Sequence, residues 1–528
     1  MLDSALTIGL VLGIGLLSSF VIDDFVTPQA EKCWRRPMGA LLIHCGLWLI
    51  VFAIEFMQFQ RLWVSAFLTA TIQCVLVIIN HAKYAALREP FIYQDVQYLV
   101  DACRFPRLYV PFFGWGRTLV CIGLLIFGLL VVLRLEAPVT EQSGVWTAVV
   151  LCIAFAMLSA VFVFIGSRSV FTLSFRPEED IHRYGLLPAL WLYFRAERQA
   201  VPKLKGISSL VGEAEELHLD SPQLNSSHLN SPHLNSPHVI VVQSESFFDI
   251  RRWCPGVDAS VLTHFDRACA ESIACGVMAV PAWGANTVRT EFSFLTGIAL
   301  ERLGIDRFNP YRRLVSAQTP SLARQYQQRG YRTVAIHPYS GKFYHRDRLF
   351  PLLGFDRLID ISEFEPPEAG HPYVGDLAVA QKIEHLLQEH EREGDTRPLF
   401  IFVITMENHG PLHLENLSAE QAQRWLVSEL PAGCSDIPVY LRHLANADAM
   451  VGRLTEALAR NQTRPGVLCW YGDHVPIMDG AYAKLGAPAG CTDYFIWRSD
   501  RLATAACPPA EASIETLGQS LLQATNAL

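Results

Sequence analysis

Charge is scarce in this chain of 528 residues: Asp, Glu, Lys and Arg make up 18% of it, against 51% hydrophobic residues. With a mean hydropathy of +0.23, so little charge excludes a wholly soluble chain, and the length exceeds one compact domain, so part of the protein is expected in a bilayer. A basic patch is also missing. The net charge of −8 is spread along the chain, which excludes nucleic acid as a partner class. The 13 cysteines form no CxxC pair and no zinc-ribbon spacing, so thiolate metal sites are not expected; about half lie in the apolar N-terminal third, where Cys acts as a small hydrophobe.

What the sequence does have is a series of long apolar segments. Five fill the first third, approximately Ala5–Ile22, Gly39–Met57, Leu62–Ile79, Thr118–Leu133 and Val145–Ile165, each near the ~20 residues needed to cross hydrocarbon. The first lacks a basic leading region and reads as an anchor rather than a signal peptide. His44 and Glu55 fall in the second, where ionisable groups tend to face a protein interior or water. The loop His81–Arg117 mixes charge with Tyr84, Phe91, Tyr93, Tyr98 and Trp115, a composition suited to the membrane interface. The bias of Lys and Arg in the loops, counted alone, puts the C-terminal part of the chain in the cytoplasm.

The expected organisation is a membrane domain over 1–166, interfacial helices and a linker over 167–238, and a catalytic domain over 239–528. Arg168–Gln199 interleaves charges with Leu186, Leu187, Leu190, Trp191 and Phe194, suited to helices along the membrane face. Three near-copies of one polar pentapeptide follow, beginning at Leu224, Leu229 and Leu234; they are too short to build a repeat fold and read as a slack linker.

From Val239 onward short β-rich apolar runs alternate with helical stretches, the pattern of an α/β sheet covered by helices. Each strand candidate is followed by a chemically capable residue: Val239–Gln243 by Glu245, Thr333–Ile336 by His337, Leu399–Thr405 by His409, and Val467–Tyr471 by Asp473 and His474. Ligands of open α/β sheets gather at the carboxyl ends of strands, so these side chains are expected to converge. Singly, each has a plain explanation as a solvated loop or turn residue. Jointly, the carboxylates Glu245 and Asp473 with the imidazole of His474 form a donor set suited to zinc or manganese. Thr287, after the small-residue turn Gly284-Ala285-Asn286, is placed in the first turn of a helix, as a plain cap or as a hydroxyl beside a bound phosphate. A divalent ion beside it would make that hydroxyl a nucleophile.

Five stretches, VVQSESF (Val241–Phe247), GANTVRTEF (Gly284–Phe292), IHPYSGKFYHRD (Ile336–Asp347), TMENHGP (Thr405–Pro411) and YGDH (Tyr471–His474), resemble the motifs of the lipoteichoic acid synthase and phosphoglycerol transferase family of the alkaline phosphatase, sulfatase-like superfamily. The resemblance covers nearly the whole chain. It implies a polytopic α-helical membrane domain followed by an α/β sulfatase-like domain outside the cytoplasmic (inner) membrane, against the charge count. It further implies one divalent ion, most often Mn2+ with Zn2+ or Mg2+ as alternatives, on Glu245, Thr287, Asp473 and His474; Thr287 as carrier of a covalent intermediate; and His337, Arg346 and His409 as holders of a phosphoglycerol head group. Tyr339 and Tyr344 depart from the family pattern, which has an acidic residue and Trp there. Arg289 reads as an exposed helix residue or as a partner for an anionic substrate.

The function implied is transfer of a phospholipid head group, from a phosphatidylglycerol-like donor, to a glycan or other envelope polymer. A phosphoethanolamine transferase and a sulfatase or phosphodiesterase are alternatives on the same scaffold. A non-catalytic membrane sensor would need only the fold, and the retention of Thr287 with every proposed ligand argues against it.

Overall fold

The computed structural model describes residues 2–96, 115–201, 204, 210, 236–367, 371–461, 463–500 and 510–526. Two compact units are present, Met1–Ala200 and Val201–Leu528. The pentapeptide tract up to residue 235, and residues 97–114 of the aromatic loop, lie outside the described residues.

The first unit is helical: α1 (Leu2–Asp23), α2 (Met38–Phe59), α3 (Leu62–Leu87), α4 (Trp115–Leu135), α5 (Val145–Ser167), α6 (Pro177–Tyr184) and α7 (Leu186–Glu197). Four of these are long and apolar enough to cross a membrane among the described residues, the spans being Leu6–Asp23, Met38–Phe59, Leu62–Leu87 and Val145–Ser167. The fifth expected segment, Thr118–Leu133, falls within α4, whose side chains are described only in part. Small residues bring α2 and α5 together: a Cβ on Gly46 would lie 2.6 Å from Val163, and one on Gly166 would lie 2.7 Å from the Gly39 carbonyl. Close backbone approach of this kind is how helices associate in lipid. His44, which the sequence leaves open between packing and function, is fully buried; its Nε2 lies 2.8 Å from Ser19 Oγ, and that hydroxyl donates to Gln73 Oε1 at 2.7 Å. Polar atoms of three helices thus join in one buried cluster. Glu55 is only part-buried.

The second unit is built on an eight-stranded sheet, in the order β4-β3-β5-β1-β6-β7-β2-β8. The strands are β1 (His238–Ser244), β2 (Ala274–Ala279), β3 (Arg332–Ile336), β4 (Arg357–Ile359), β5 (Leu399–Ile404), β6 (Gly466–Gly472), β7 (Thr492–Arg498) and β8 (Ala512–Ser513). β3, β5, β1 and β6 are consecutive neighbours and all parallel, while β7 is antiparallel to both β6 and β2. Because parallel strands are covered on both faces, β1 is buried throughout. Its residues alternate between two cores: Ile240 and Val242 pack on one side, Val239 and Val241 on the other. Helices cover both faces. The first core includes residues of α10 (Asp376–Glu393) and α11 (Asp436–Arg460); the second includes residues of α8 (Thr287–Thr296) and α12 (Ile514–Asn526). A further helix, α9 (Arg346–Leu353), follows β3. The strand starts and ends anticipated at 239, 333, 399 and 467 differ from these by at most about one residue, within the usual fraying of element ends.

Candidate active site

Parallel alignment of β1 and β6 puts Glu245 and Asp473 side by side, one residue beyond Ser244 and Gly472, which are paired in register. Gly472 is required there: a Cβ would lie 1.8 Å from the Phe247 carbonyl oxygen, so any side chain would drive the two strand ends apart. Ser246 takes a left-handed φ of 53°, which turns its N–H onto Asp473 Oδ1 at 2.8 Å, while its hydroxyl donates to Glu245 Oε1 at 3.1 Å. The Glu245 N–H donates to Thr405 Oγ1 at 3.0 Å, at the end of the next strand. Each carboxylate is therefore oriented before any ligand arrives.

His474 completes the group. Its Nδ1 lies 3.0 Å from the Val475 carbonyl oxygen, an acceptor, so this nitrogen carries the proton and Nε2 presents a lone pair. Nε2 is 3.5 Å from Glu245 Oε1 and 3.4 Å from Asp473 Oδ2. His474 Nε2 and Asp473 Oδ2 are both buried with no hydrogen-bond partner among the described residues. Burial, followed by the neighbouring charge of Asp473, pushes the Glu245 carboxyl up to about 8. Buried acceptors facing one another are costly unless a cation lies among them, so these residues fit a divalent ion, and their ligand atoms all lie within 4.8 Å of one another.

Thr287 is the first residue of α8, after Asn286 in a left-handed conformation (φ 67°). The helix start is tied to the ligand loop on both sides: the Gly284 N–H donates to the Val475 carbonyl at 3.1 Å, and Thr290 Oγ1 donates to the Asp473 carbonyl at 2.8 Å. Those ties hold the part-exposed Thr287 beside the loop that carries Asp473 and His474, with the helix N-terminus supplying amide donors and a positive dipole end.

A second charged group lies on the same helix. Glu291, one turn after Thr287, is fully buried and meets Arg346 Nη2 at 2.7 Å and Arg346 Nε at 3.3 Å. Tyr311 donates its hydroxyl to Glu291 Oε1 at 2.5 Å. Arg346 Nη1 lies 3.1 Å from His337 Nε2, and His337 Nδ1 lies 3.4 Å from the Ile404 carbonyl. Burial, then the Arg346 charge, holds His337 well below the ordinary imidazole range, so it is neutral: Nδ1 donates to the carbonyl and Nε2 accepts from the guanidinium. Nε and Nη2 of Arg346 serve Glu291 and Nη1 serves His337, so one N–H on each Nη nitrogen is left for a further acceptor, while both nitrogens of His337 are engaged.

Arg289 is buried rather than exposed: its Nε donates to the Phe308 carbonyl at 3.2 Å, and its guanidinium lies 5.4 Å from the Phe308 ring centroid. Tyr344 has φ 53° and His345 has φ 57°; two successive non-glycine residues in the left-handed region carry strain of the sort found at ligand clamps. The Tyr344 ring lies 5.3 Å from the Arg346 guanidinium. His409 Nδ1 is 2.8 Å from the Gly410 carbonyl and 3.2 Å from the Tyr373 hydroxyl, and burial lowers its pKa. Glu291, Tyr311, Ser246 and Thr405 were missed as site residues by the sequence reading. For Glu291 a signal existed, since a spacing of four from Thr287 puts both on one helix face.

The chain is similar to several known proteins. The capsular polysaccharide biosynthesis protein RkpI of Rhizobium meliloti is 27% identical, over 96% of this chain and 92% of its own length. The phosphoglycerol transferase GacH of Streptococcus pyogenes, solved in complex with sn-glycerol-1-phosphate, aligns with a TM-score of 0.46 at 22% identity, covering 62% of this chain and 84% of that one. The lipooligosaccharide phosphoethanolamine transferase EptA of Neisseria meningitidis, an integral membrane protein, aligns with a TM-score of 0.47 at 13% identity, covering 92% and 94%. The family model described as Sulfatase matches residues 237–527, which is more than half of the chain and takes in every residue of the site: this protein belongs to the sulfatase family.

Proposed function

We propose that the protein is a membrane-anchored phosphotransferase that moves a phosphoglycerol-type head group from a phosphatidylglycerol-like lipid to an envelope glycan, with Thr287 carrying the group in transit. The observation that carries this reading is the double tie of the α8 start to the Asp473–Val475 loop, which supports a Thr287 hydroxyl beside the carboxylate and imidazole cluster. Glu245, Asp473 and His474 would hold a divalent ion, manganese in this reading, which when bound would supply Lewis acidity and lower the pKa of an adjacent hydroxyl.

Thr287 Oγ1 attacks the phosphodiester phosphorus, a new P–O bond forms, the bond to diacylglycerol breaks, and the proton lost by the Thr287 hydroxyl ends on the departing diacylglycerol oxygen. The amide donors of the first turn of α8 face the phosphoryl oxygens, where charge is greatest during transfer. Arg346, fixed by Glu291, offers its remaining Nη N–H donors to the phosphoryl oxygens from a position that cannot relax away. An acceptor hydroxyl then attacks the same phosphorus and releases Thr287, with His409, neutral because of burial, as the group that takes and returns the proton. The apolar helices keep the catalytic unit near its lipid donor. In this reading the protein is a multi-pass protein of the bacterial inner membrane with that unit outside the cytoplasm. The full-length similarity to a capsular polysaccharide biosynthesis protein supports a glycan acceptor.

The test is to incubate the full chain, in vesicles, with phosphatidylglycerol labelled in the head group and with an envelope glycan. Label in the glycan together with new diacylglycerol supports the reading. Label released only as free glycerol phosphate makes the protein a hydrolase, and preference for a phosphatidylethanolamine donor moves the head-group assignment.

A further inference from the structure

We propose a second divalent-cation site in the catalytic unit, formed by His371, Glu415 and His443, which takes a zinc-type ion and pins the segment that carries Tyr373. Its ligands come from three places: the stretch before α10, the turn after Leu412–Leu414, and the middle of α11. None belongs to the Glu245 cluster, and the proposal does not depend on the reaction assigned above. The three ligand atoms lie within 4.8 Å of one another. His443 Nε2 is 3.2 Å from Glu415 Oε2, and His371 Nδ1 is 3.8 Å from the same oxygen. Two imidazoles and one carboxylate are a donor set that zinc accepts readily.

Neither tautomer of His443 satisfies this group: if Nε2 donates to Glu415, its N–H faces the Arg442 donor and Nδ1 keeps a buried lone pair without a partner among the described residues. Arg442 Nη2 also bonds Glu415 Oε2 and lies 2.9 Å from His443 Nε2. An imidazole nitrogen holds either a proton or a lone pair, so His443 Nε2 cannot both accept from Arg442 and donate to Glu415. If it accepts, its lone pair also faces a carboxylate oxygen, and the proton moves to Nδ1. That atom is buried with no hydrogen-bond partner among the described residues, as is Arg442 Nε. His443 is 1% exposed, so water does not relieve the conflict. An ion taking the Nε2 lone pair and the Glu415 oxygen removes it, and Arg442, which is only part-buried, can swing aside. The consequence reaches the first site through Tyr373, two residues after His371, whose hydroxyl lies 3.2 Å from His409 Nδ1.

The test uses the full chain in detergent, stripped with chelator and dialysed against Zn2+, with metal counted per chain. Wild type is expected to hold two equivalents. His371→Ala and His443→Gln should each leave one, which also shows that the variants are folded; Glu245→Gln should leave one, and Glu245→Gln combined with His371→Ala none. Loaded with Co2+, the Glu245→Gln variant should show a ligand-field absorption that His371→Ala removes. Arg442→Gln should tighten the second equivalent by removing a competing cation. A single equivalent in wild type that Glu245→Gln abolishes overturns the proposal. So does a second equivalent that survives both histidine substitutions, or a weaker one in Arg442→Gln.

Discussion

Two buried charged groups flank the same helix and are finished in opposite ways. Around Glu291, the carboxylate meets the Arg346 guanidinium and the Tyr311 hydroxyl, and His337 takes up the remaining fork nitrogen. Around Glu245, a second carboxylate and an imidazole lone pair face it, and Asp473 Oδ2 and His474 Nε2 have no protein partner among the described residues. One group is electrically closed; the other is open to a cation. The difference separates parts that hold the site in shape from parts that bind, and burial alone would not have separated them, since Glu245, Glu291, Arg346 and Asp473 are all at most 3% exposed.

The largest expected effect lies between the two groups. Thr287→Ala should abolish head-group transfer while metal content and thermal midpoint stay close to wild type, because only the attacking oxygen is lost. Thr290→Ala removes the tie to Asp473 instead; it should keep measurable turnover and lose about 1–2 kcal/mol of stability, the cost of one buried hydrogen bond. Equal activity of the two variants in a labelled-lipid assay would break the assignment.

The next prediction sets the two groups directly against each other. Glu291→Gln leaves Arg346 buried without its counter-ion and should destabilise the protein by roughly 3–5 kcal/mol. Asp473→Asn, in chelator-treated protein, removes one of two buried carboxyl groups that face each other and should raise the thermal midpoint, while metal binding is lost. Thermal unfolding of both variants with and without Mn2+ reads the sign of each change. Two changes of the same sign would erase the distinction between closed and open groups.

The effect furthest from the two groups, and without consequence for turnover, concerns acid lability of the sheet itself. His238, the first residue of β1, accepts the Leu399 N–H on Nδ1 at 3.0 Å and is lowered to about 4 by burial and by His390 and Arg464. The folded state keeps it neutral while the unfolded chain protonates near 6.5, so the unfolded state binds more protons between these values. Stability is therefore full above about 6.5 and falls as the pH drops toward about 4, by at most roughly 3 kcal/mol for this group. His238→Asn keeps an acceptor without a titrating ring, and unfolding followed across that range should show a flatter pH dependence.

Much of this site was readable before the structure because local pattern and topology agree. Short β-rich runs ended in Glu245, His337, His409 and the Asp473-His474 pair, and parallel strands bring their carboxyl ends together. The pairing of Glu291 with Arg346 was not readable, since 55 residues separate them and only the packing of α8 against the loop after β3 joins them. Arg289 was misjudged for a related reason. A charged residue on a helix suggests a solvated face, yet every residue of α8 from Val288 to Thr296 is buried, because this helix is packed on all sides. The antiparallel β7, inserted between β6 and β2, left no signal of direction in its own residues.

The central claim is that the phosphoryl group rests on Thr287. Peptide mapping by mass spectrometry, after the full chain is mixed with phosphatidylglycerol in the absence of any acceptor and quenched in acid, tests it most directly. A glycerophosphoryl adduct on the peptide containing Thr287, absent from Thr287→Ala and discharged when a glycan is added before the quench, is the result predicted here. An adduct on another residue, or label passing to the acceptor at an undiminished rate in Thr287→Ala, would contradict it.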